Sequence, residues 1–243
     1  MKTYRLRPLH LISMENDMSN FTYRLNFGVK IDLPVFCWYV EGADQHILID
    51  TGADADMALR FRGFPAKNIA SFEEALAELN LKPDDIDLVI HTHLHWDHCG
   101  NTSKCKNARL LVTEEELLFA LSPHPILAPT YRRELLAGLN FIPIRGDFEV
   151  APGIELIPAP GHTPGTQAVS VQTEKGKAII TGFCCLRENF DPPEEVREFM
   201  PVVAPGIHLN AVEAFESALR IKGLADILIP MHDLSMEGVK SIP

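Results

Sequence analysis

The chain has 243 residues and carries 22 Lys and Arg against 33 Asp and Glu, which gives a net charge of −11 with neutral histidines. Its 46% hydrophobic and 23% charged residues are typical of a globular protein and exclude a disordered, collagen-like or coiled-coil chain. The acidic balance disfavours a nucleic-acid partner, because it repels phosphate backbones. Ten histidines stand beside five cysteines, and the question is whether they gather in one site.

The cysteines and the first residues bear on the compartment. Residues 1–20 mix Arg, Pro and His into an apolar segment, so they lack the core of a secretory signal. The sequence contains no run of about 18 uncharged apolar residues, so we predict no membrane span. The cysteines are odd in number and form no CxxC pair, which argues against a disulfide framework. We expect a cytoplasmic protein with reduced thiols, which acts on a small-molecule substrate. The protein could form a homodimer.

Short apolar runs that stop at turn residues predict strands along the whole chain. These runs cover 3–12, 21–40, 46–50, 86–90, 109–113, 141–144, 154–159, 168–173, 177–182 and 225–230. Ser71 with Glu74 three residues later is a capping-box pattern. The predicted helices cover 71–81, 113–121 and 210–223. Two strand-rich halves with late helices predict an α/β fold of two sheets packed face to face, with helices outside. Length alone allows one large domain or two small ones.

A histidine-rich segment follows the predicted strand 86–90 directly. His93 and His95 lie two residues apart as the chain leaves the strand, so both side chains can point the same way. Asp97 and His98 follow at the next turn. Imidazole and carboxylate donors so close together suit Zn²⁺, and also Fe²⁺ or Mn²⁺. A solvated loop is the alternative, but the end of a buried strand favours a site.

Two further histidines also follow predicted strands. His162 lies in the turn PGHTPG, and His232 lies just after the strand ILIP. Either one alone would be interpreted as a solvated loop residue. Together with the histidine-rich segment they complete a ligand set for metal ions.

With these motifs identified, the sequence resembles the metallo-β-lactamase superfamily. The HxHxDH signature of that family is matched by His93, His95, Asp97 and His98, and its later histidine motifs by His162 and His232. Asp50 in LIDTG matches a recurring Asp behind the metal ligands. Within the superfamily, the segments HLHWDHCGN, PGHTPGTQ and ILIPMHD are most similar to the N-acyl homoserine lactonase group.

The resemblance implies a single catalytic domain over residues 1–243, which folds as a four-layered αββα sandwich with metal ions at one edge of the sheets. It implies one ion held by His93, His95 and His162, and a second held by Asp97, His98 and His232. The implied activity is hydrolysis of a small ester or lactone by a metal-bound hydroxide, which Asp97 orients or deprotonates. Asp50 is expected to accept an N–H of a ligand histidine. The expected cofactors are one or two divalent ions, zinc first, with iron or manganese as alternatives.

The chain departs from the family at the Asp that usually bridges the two ions. Alignment on the TG dipeptide puts Phe183 at that position, and alignment on the downstream ENF puts Gly182 there. Either Cys184 or Cys185 replaces it with a thiolate, or no residue does and the second ion is weak or absent, or His208 substitutes. Cys185 also matches a substrate-contacting Tyr of the lactonase group, so Cys185 and His208 are candidates for substrate binding.

Two other functions stay open at the level of the sequence. A cysteine near the metal ligands would suit iron, so an iron-dependent oxidoreductase or oxygen-handling protein on the same fold is one alternative. The absent bridging Asp motivates the other alternative, a metal-binding module without catalysis.

Overall fold

The computed structural model describes residues 2–243, and these form twelve strands and eight α-helices. The strands β1 to β12 are Arg5–Asp17, Lys30–Glu41, Ile47–Ile49, Ala66–Asn68, Leu88–Ile90, Arg109–Thr113, Phe141–Ile144, Phe148–Ala151, Ile154–Pro158, Gln167–Thr173, Gly176–Ile180 and Ile227–Ile229. The helices α1 to α8 are Ala55–Arg62, Phe72–Ala77, Trp96–Cys99, Glu114–Leu121, Arg133–Leu136, Arg187–Phe190, Glu194–Arg197 and Ala211–Leu224.

The strands form two sheets. The first sheet has seven strands in the order β4-β1-β2-β3-β5-β6-β7, and the second has five in the order β12-β11-β10-β9-β8. In the first sheet, β3, β5, β6 and β7 run parallel to one another. Their carboxyl ends therefore meet at one edge of the sheet. In the second sheet, β12 runs parallel to β11, whereas the other pairs are antiparallel.

The two sheets pack face to face around a shared apolar core. Trp38 and Ile90 of the first sheet lie in one buried cluster with Val169 and Ile180 of the second. On the outer side of the first sheet, α1, α2 and α3 bury apolar residues against β1 and β2. On the outer side of the second sheet, Ala218 and Ile221 of α8 do the same. The predicted αββα sandwich is therefore confirmed.

The local predictions hold where apolar runs are short and sharply bounded. Ser71 caps α2 in a full capping box with Glu74, but this helix ends at Ala77 rather than residue 81. The predicted strand 21–40 is wrong in its first half, because β2 begins only at Lys30. Residues 21–29 instead form turns in which Arg24 and Asn26 adopt positive φ angles. Such turns interrupt a strand even where Phe and Tyr favour one.

Two further features concern the compartment. Within residues 2–243, no helix combines the length and the apolar character that a membrane crossing requires. All five cysteines are buried and free.

Candidate metal centre

The histidine-rich segment lies at the carboxyl edge of the first sheet. Strand β5 ends at Ile90, and the chain then turns through the histidines into α3. Strand β3 lies beside β5 in parallel, so Asp50 emerges at the same edge. The backbone N–H of Asp50 donates a 2.8 Å hydrogen bond to the Ile90 carbonyl, which locks the two strand ends together.

Three histidines form the first ligand cluster, which consists of His93, His95 and His162. One ring nitrogen of each lies within 4.8 Å of the others, and all three side chains are buried. His162 comes from the turn between β9 and β10 of the second sheet. The cluster is therefore built from both sheets, and it consists of the three residues that the family resemblance implied for the first ion.

The second ligand cluster consists of Asp97, His98 and His232. An Asp97 oxygen lies 3.5 Å from His98 Nε2 and 3.9 Å from His232 Nε2, and the three ligand atoms lie within 4.8 Å of one another. His232 follows β12 of the second sheet. The rings of His93 and His98 lie 4.0 Å apart between centroids, so the two clusters are adjacent.

The unused ring nitrogens test whether metal ions fit these clusters. Nε2 of His93 and Nε2 of His95 are buried without any hydrogen-bond partner. A buried polar atom without a partner is costly, and metal coordination removes that cost. In two other ligand histidines, Nδ1 has a backbone partner. Nδ1 of His162 lies 2.7 Å from the Ile207 carbonyl oxygen, and Nδ1 of His232 lies 3.0 Å from the Pro34 carbonyl oxygen. A donating Nδ1 leaves Nε2 as a free lone pair, so the donor set fits divalent cations.

Burial sets the protonation of these rings. Burial, followed by repulsion from neighbouring histidines, lowers the pKa of His93 and His95 well below the usual range, and the Arg62 charge contributes at His95. Burial lowers the pKa of His162 and His232 to about 4. At His98, burial opposes the charged form, but the Asp97 and Asp50 carboxylates outweigh it and raise the pKa. The neutral rings that metal ligation needs are therefore favoured at most positions.

Asp50 has the position that its sequence motif predicted. Its Oδ2 lies 2.8 Å from His98 Nδ1 and accepts a 2.7 Å hydrogen bond from the Thr92 hydroxyl. Its Oδ1 accepts a 2.8 Å bond from the Thr92 backbone N–H. The carboxylate is fully buried, and its backbone has a left-handed φ of 56°. Asp50 thus fixes both the ring of His98 and the segment that precedes His93.

Glu116 is a component of the site that the sequence reasoning missed. It lies in α4, where it looks like an ordinary helix-start acid, yet its side chain is fully buried. Its carboxylate accepts hydrogen bonds from the Leu94 backbone N–H (2.9 Å), the Tyr131 hydroxyl (2.8 Å) and the Thr163 hydroxyl. The one sequence signal for this burial is the helical spacing in α4, which places residue 116 on the same buried face as Ala120.

Within residues 2–243, Asp97 is the one carboxylate that belongs to either ligand cluster, and it belongs to the second. Gly182 has a φ of 75°, and a Cβ built there would lie 2.0 Å from the Gln167 carbonyl oxygen, so this position has no room for a side chain. Phe183 is 2% exposed and packs against Phe190 with ring centroids 6.0 Å apart. Position 182 is therefore closed to an Asp, and the side chain at position 183 lies in an apolar core cluster rather than in the cavity that contains the ligand clusters.

The three substitutes considered for that Asp lie outside the clusters. Cys184 lines the cavity beside the clusters, but it belongs to neither, and its thiol contacts the Asn20 carbonyl at 3.6 Å. Cys185 is fully buried behind the cavity wall, with its sulfur 3.0 Å from the Thr181 hydroxyl. His208 is half-buried and directs Nδ1 at the Pro205 carbonyl, 2.7 Å away. The structure thus brings neither Cys185 nor His208 to the cavity that contains the clusters.

That cavity has a volume of about 190 Å³ and opens onto both clusters. Its wall is mostly apolar, with Met14, Phe21 and Leu33 on one side and Ile126 and Leu127 on another. Trp96 of α3 also lines it. A cavity with convergent polar donors inside an apolar wall is the usual form of a small-molecule site.

Comparison with known proteins agrees with this geometry. A model of the metallo-beta-lactamase superfamily matches residues 31–232, a range that contains both ligand clusters. The chain belongs to the metallo-β-lactamase superfamily. Among curated members of the superfamily, an N-acyl homoserine lactonase of Bacillus cereus is 30% identical over 250 residues, covering 93% of this chain and 92% of that protein. One from Bacillus thuringiensis is 28% identical over 236 residues, covering 91% and 90%.

Solved structures of the superfamily show the same similarity. A crystal structure of a B. thuringiensis AiiA mutant with N-decanoyl-L-homoserine bound at the active site has a TM-score of 0.79 and 27% identity, covering 98% of this chain and 96% of that one. An N-acyl homoserine lactone hydrolase with N-hexanoyl-L-homoserine bound at the catalytic metal centre has the same values. A dizinc quorum-quenching lactonase with 18% identity and a TM-score of 0.64 shares the metallo-β-lactamase fold.

Proposed function

We propose that this chain is a metal-dependent hydrolase of the lactonase type, which opens a small lactone or ester. One observation supports this most strongly: residues of both three-residue ligand clusters line a single cavity, and the buried Nε2 atoms of His93 and His95 have no hydrogen-bond partner. The lactonases that resemble the chain over more than nine-tenths of its length support the choice of carbonyl substrate.

The ligand clusters would hold one or two divalent ions. Ions bound there lower the pKa of a water molecule and polarise a carbonyl oxygen, which is the chemistry that ester and lactone hydrolysis needs. Three imidazoles in one cluster and two imidazoles with a carboxylate in the other suit zinc best, with iron or manganese as alternatives.

The residues of the chain supply orientation and proton transfer. The Asp97 side chain is 13% exposed and lies at the cavity, so it can orient a water molecule and accept its proton. Asp50 holds the ring of His98, and backbone carbonyls hold the rings of His162 and His232. Rings fixed in this way need no reorganisation during the reaction. The apolar cavity wall keeps bulk water from the reacting carbonyl.

The test is a double substitution of one residue from each cluster. We expect His93→Ala with His98→Ala to abolish hydrolysis of a panel of lactones and aryl esters in a pH-indicator assay, whereas His46→Ala, outside the site, retains it. Circular dichroism would verify that both variants fold. Retained turnover in the double variant would contradict the proposal.

Metal analysis of the same protein separates the alternatives. Zinc as the ion of the active, colourless protein argues against iron-dependent redox chemistry. Full metal loading without turnover across the panel would indicate a binding module instead. We also propose that residues 1–243 act as one catalytic domain in the cytoplasm, which the five free thiols support.

A further inference from the structure

The cavity contains one charged side chain that neither ligand cluster uses. Apart from the histidines, Arg62 and Asp97 are the charged residues in its described lining, and Asp97 belongs to the second cluster. Arg62 is the last residue of α1, which Gly63 terminates in the left-handed conformation. The end of this helix thus carries a permanent positive charge to the cavity that contains the ligand clusters.

Arg62 is exposed to solvent at the cavity mouth, where its guanidinium makes a side-chain hydrogen bond but has no acidic partner among residues 2–243. One nitrogen donates a 2.7 Å hydrogen bond to the Thr130 hydroxyl, and the group lies 5.4 Å from the centre of the Phe64 ring. The Thr130 carbonyl accepts a 3.1 Å bond from the Trp96 N–H, so this contact is anchored to α3. Among residues 2–243, no carboxylate lies within 4.0 Å of the Arg62 guanidinium. Most of its five N–H donors therefore stay available to a ligand.

Size and polarity restrict what that ligand can be. A volume of about 190 Å³ is below the ~300–1,000 Å³ of pockets for drug-sized molecules. The wall near Arg62 includes Phe64, Ile126 and Leu127, which give no second cation for a more highly charged group. A single guanidinium is geometrically matched to one carboxylate, through two parallel hydrogen bonds.

We propose that Arg62 is an anion subsite and that the preferred substrates are compact lactones or esters that carry a carboxylate. This inference rests on the proposed hydrolase function and narrows its substrate class. The carboxylate binds Arg62 at the cavity mouth, and this directs the lactone or ester carbonyl toward the ligand clusters. A charge-neutral acyl lactone of the same size lacks this contact.

The test uses a matched pair of substrates, a γ-lactone with a ring carboxylate and its primary amide, which differ in charge but hardly in size. We expect the metal-loaded wild-type protein to prefer the carboxylate by up to about fivefold in kcat/KM, because Arg62 is exposed and solvent screens its charge. Arg62→Gln should bring this ratio close to one, mainly through KM for the charged substrate. Arg60→Gln, which removes the same charge from the same helix outside the cavity, should leave the ratio unchanged.

Two outcomes overturn different claims. Equal turnover of both lactones by the wild-type protein, with a ratio that Arg62→Gln does not change, rejects the anion subsite and leaves the hydrolase function standing. If neither lactone is hydrolysed, the hydrolase function fails, and calorimetry with the corresponding γ-lactams still tests the subsite. Tighter binding of the carboxylated lactam that Arg62→Gln abolishes supports it, and equal binding of the two lactams rejects it.

Discussion

The hydroxyl of Thr163 donates a 2.5 Å hydrogen bond to the carboxylate of Glu116, although the two residues lie on separate segments of the site. The same carboxylate accepts the N–H of Leu94, between His93 and His95. Thr163 directly follows His162, so one buried acid sets the positions of the backbone segments that carry all three histidines of the first cluster.

Removing this acid should weaken both the fold and metal binding. Glu116→Ala leaves the Leu94 N–H and the Tyr131 hydroxyl without an acceptor, and each costs about 1–3 kcal/mol, whereas the Thr163 hydroxyl keeps Thr166 as a partner. We expect a clear fall in the melting temperature and in metal content, with a smaller effect for Glu116→Gln, which keeps one carbonyl oxygen. The exposed neighbour Glu115 provides the control Glu115→Ala. Unchanged stability and metal content in Glu116→Ala would refute the role.

Asp50 offers a substitution that separates charge from backbone conformation. Asn tolerates the left-handed φ of 56° at this position, so Asp50→Asn changes the charge behind His98 with little strain. We expect metal affinity to fall about 10- to 100-fold, as for other residues that orient a ligand histidine. Competition with a fluorescent chelator measures it, and Asp56→Asn on the surface of α1 is the control. Equal affinity in both variants would show that Asp50 has only a structural role.

The absence of a bridging carboxylate predicts unequal metal binding. Two cations without a shared anion repel each other more strongly, so the second should bind more weakly than the first. We expect calorimetry to resolve two steps and native mass spectrometry to show a prominent species with one ion. The second cluster contains Asp97, with Asp50 behind it, so Asp97→Asn should weaken the tighter step. A single step of two equivalent ions in the wild-type protein would contradict this prediction.

Metal removal should destabilise the protein, because each cluster draws ligands from both sheets. A ligand present at a hundred times its Kd stabilises the native state by about 2.7 kcal/mol. We expect a chelator to lower the melting temperature of the wild-type protein by several degrees. The chelator should hardly change the melting temperature of the double variant His93→Ala with His98→Ala, because this variant has lost a ligand from each cluster. An equal shift in both proteins would mean that the chelator acts elsewhere.

The metal-free protein should lose stability as the pH falls from about 6.5 to about 4. Burial lowers the pKa of His91 to about 4, and His162 and His232 behave alike, whereas the unfolded rings take up protons near 6.5. The unfolded state therefore binds more protons within this window, at a cost of up to roughly 3 kcal/mol for each ring. His98, with its raised pKa, acts in the opposite direction. His91→Gln should flatten the dependence of the melting temperature on pH, and an unaltered slope would argue against this origin.

The set of candidate ligands could be predicted from the sequence because its members follow strand ends, whereas the family resemblance supplied its division into two clusters. His93 and His95 are spaced to project together from β5, and His162 and His232 each follow a strand that an apolar run marks clearly. The two-sheet architecture follows in the same way from runs such as 46–50 and 86–90. Both predictions rest on local spacing and on burial, which a sequence displays directly.

What the sequence could not supply depends on contacts between distant segments. Glu116 resembles the exposed acids beside it until Leu94 and Thr163 are brought against it, over separations of 22 and 47 residues. The orientation of Cys184 and Cys185 depends on how α6 and β12 pack around them. Arg62 is one of many basic residues in the sequence until the end of α1 is placed at the cavity.

The tight contact at Gly182 also limits how this chain can change. Replacing that glycine by Asp would drive its Cβ into the Gln167 carbonyl, and the left-handed backbone would add strain. A bridging Asp could therefore return at position 182 only if β10 shifted as well, which requires coordinated substitutions rather than one. A single substitution at Gly182 does not rejoin the two ligand clusters.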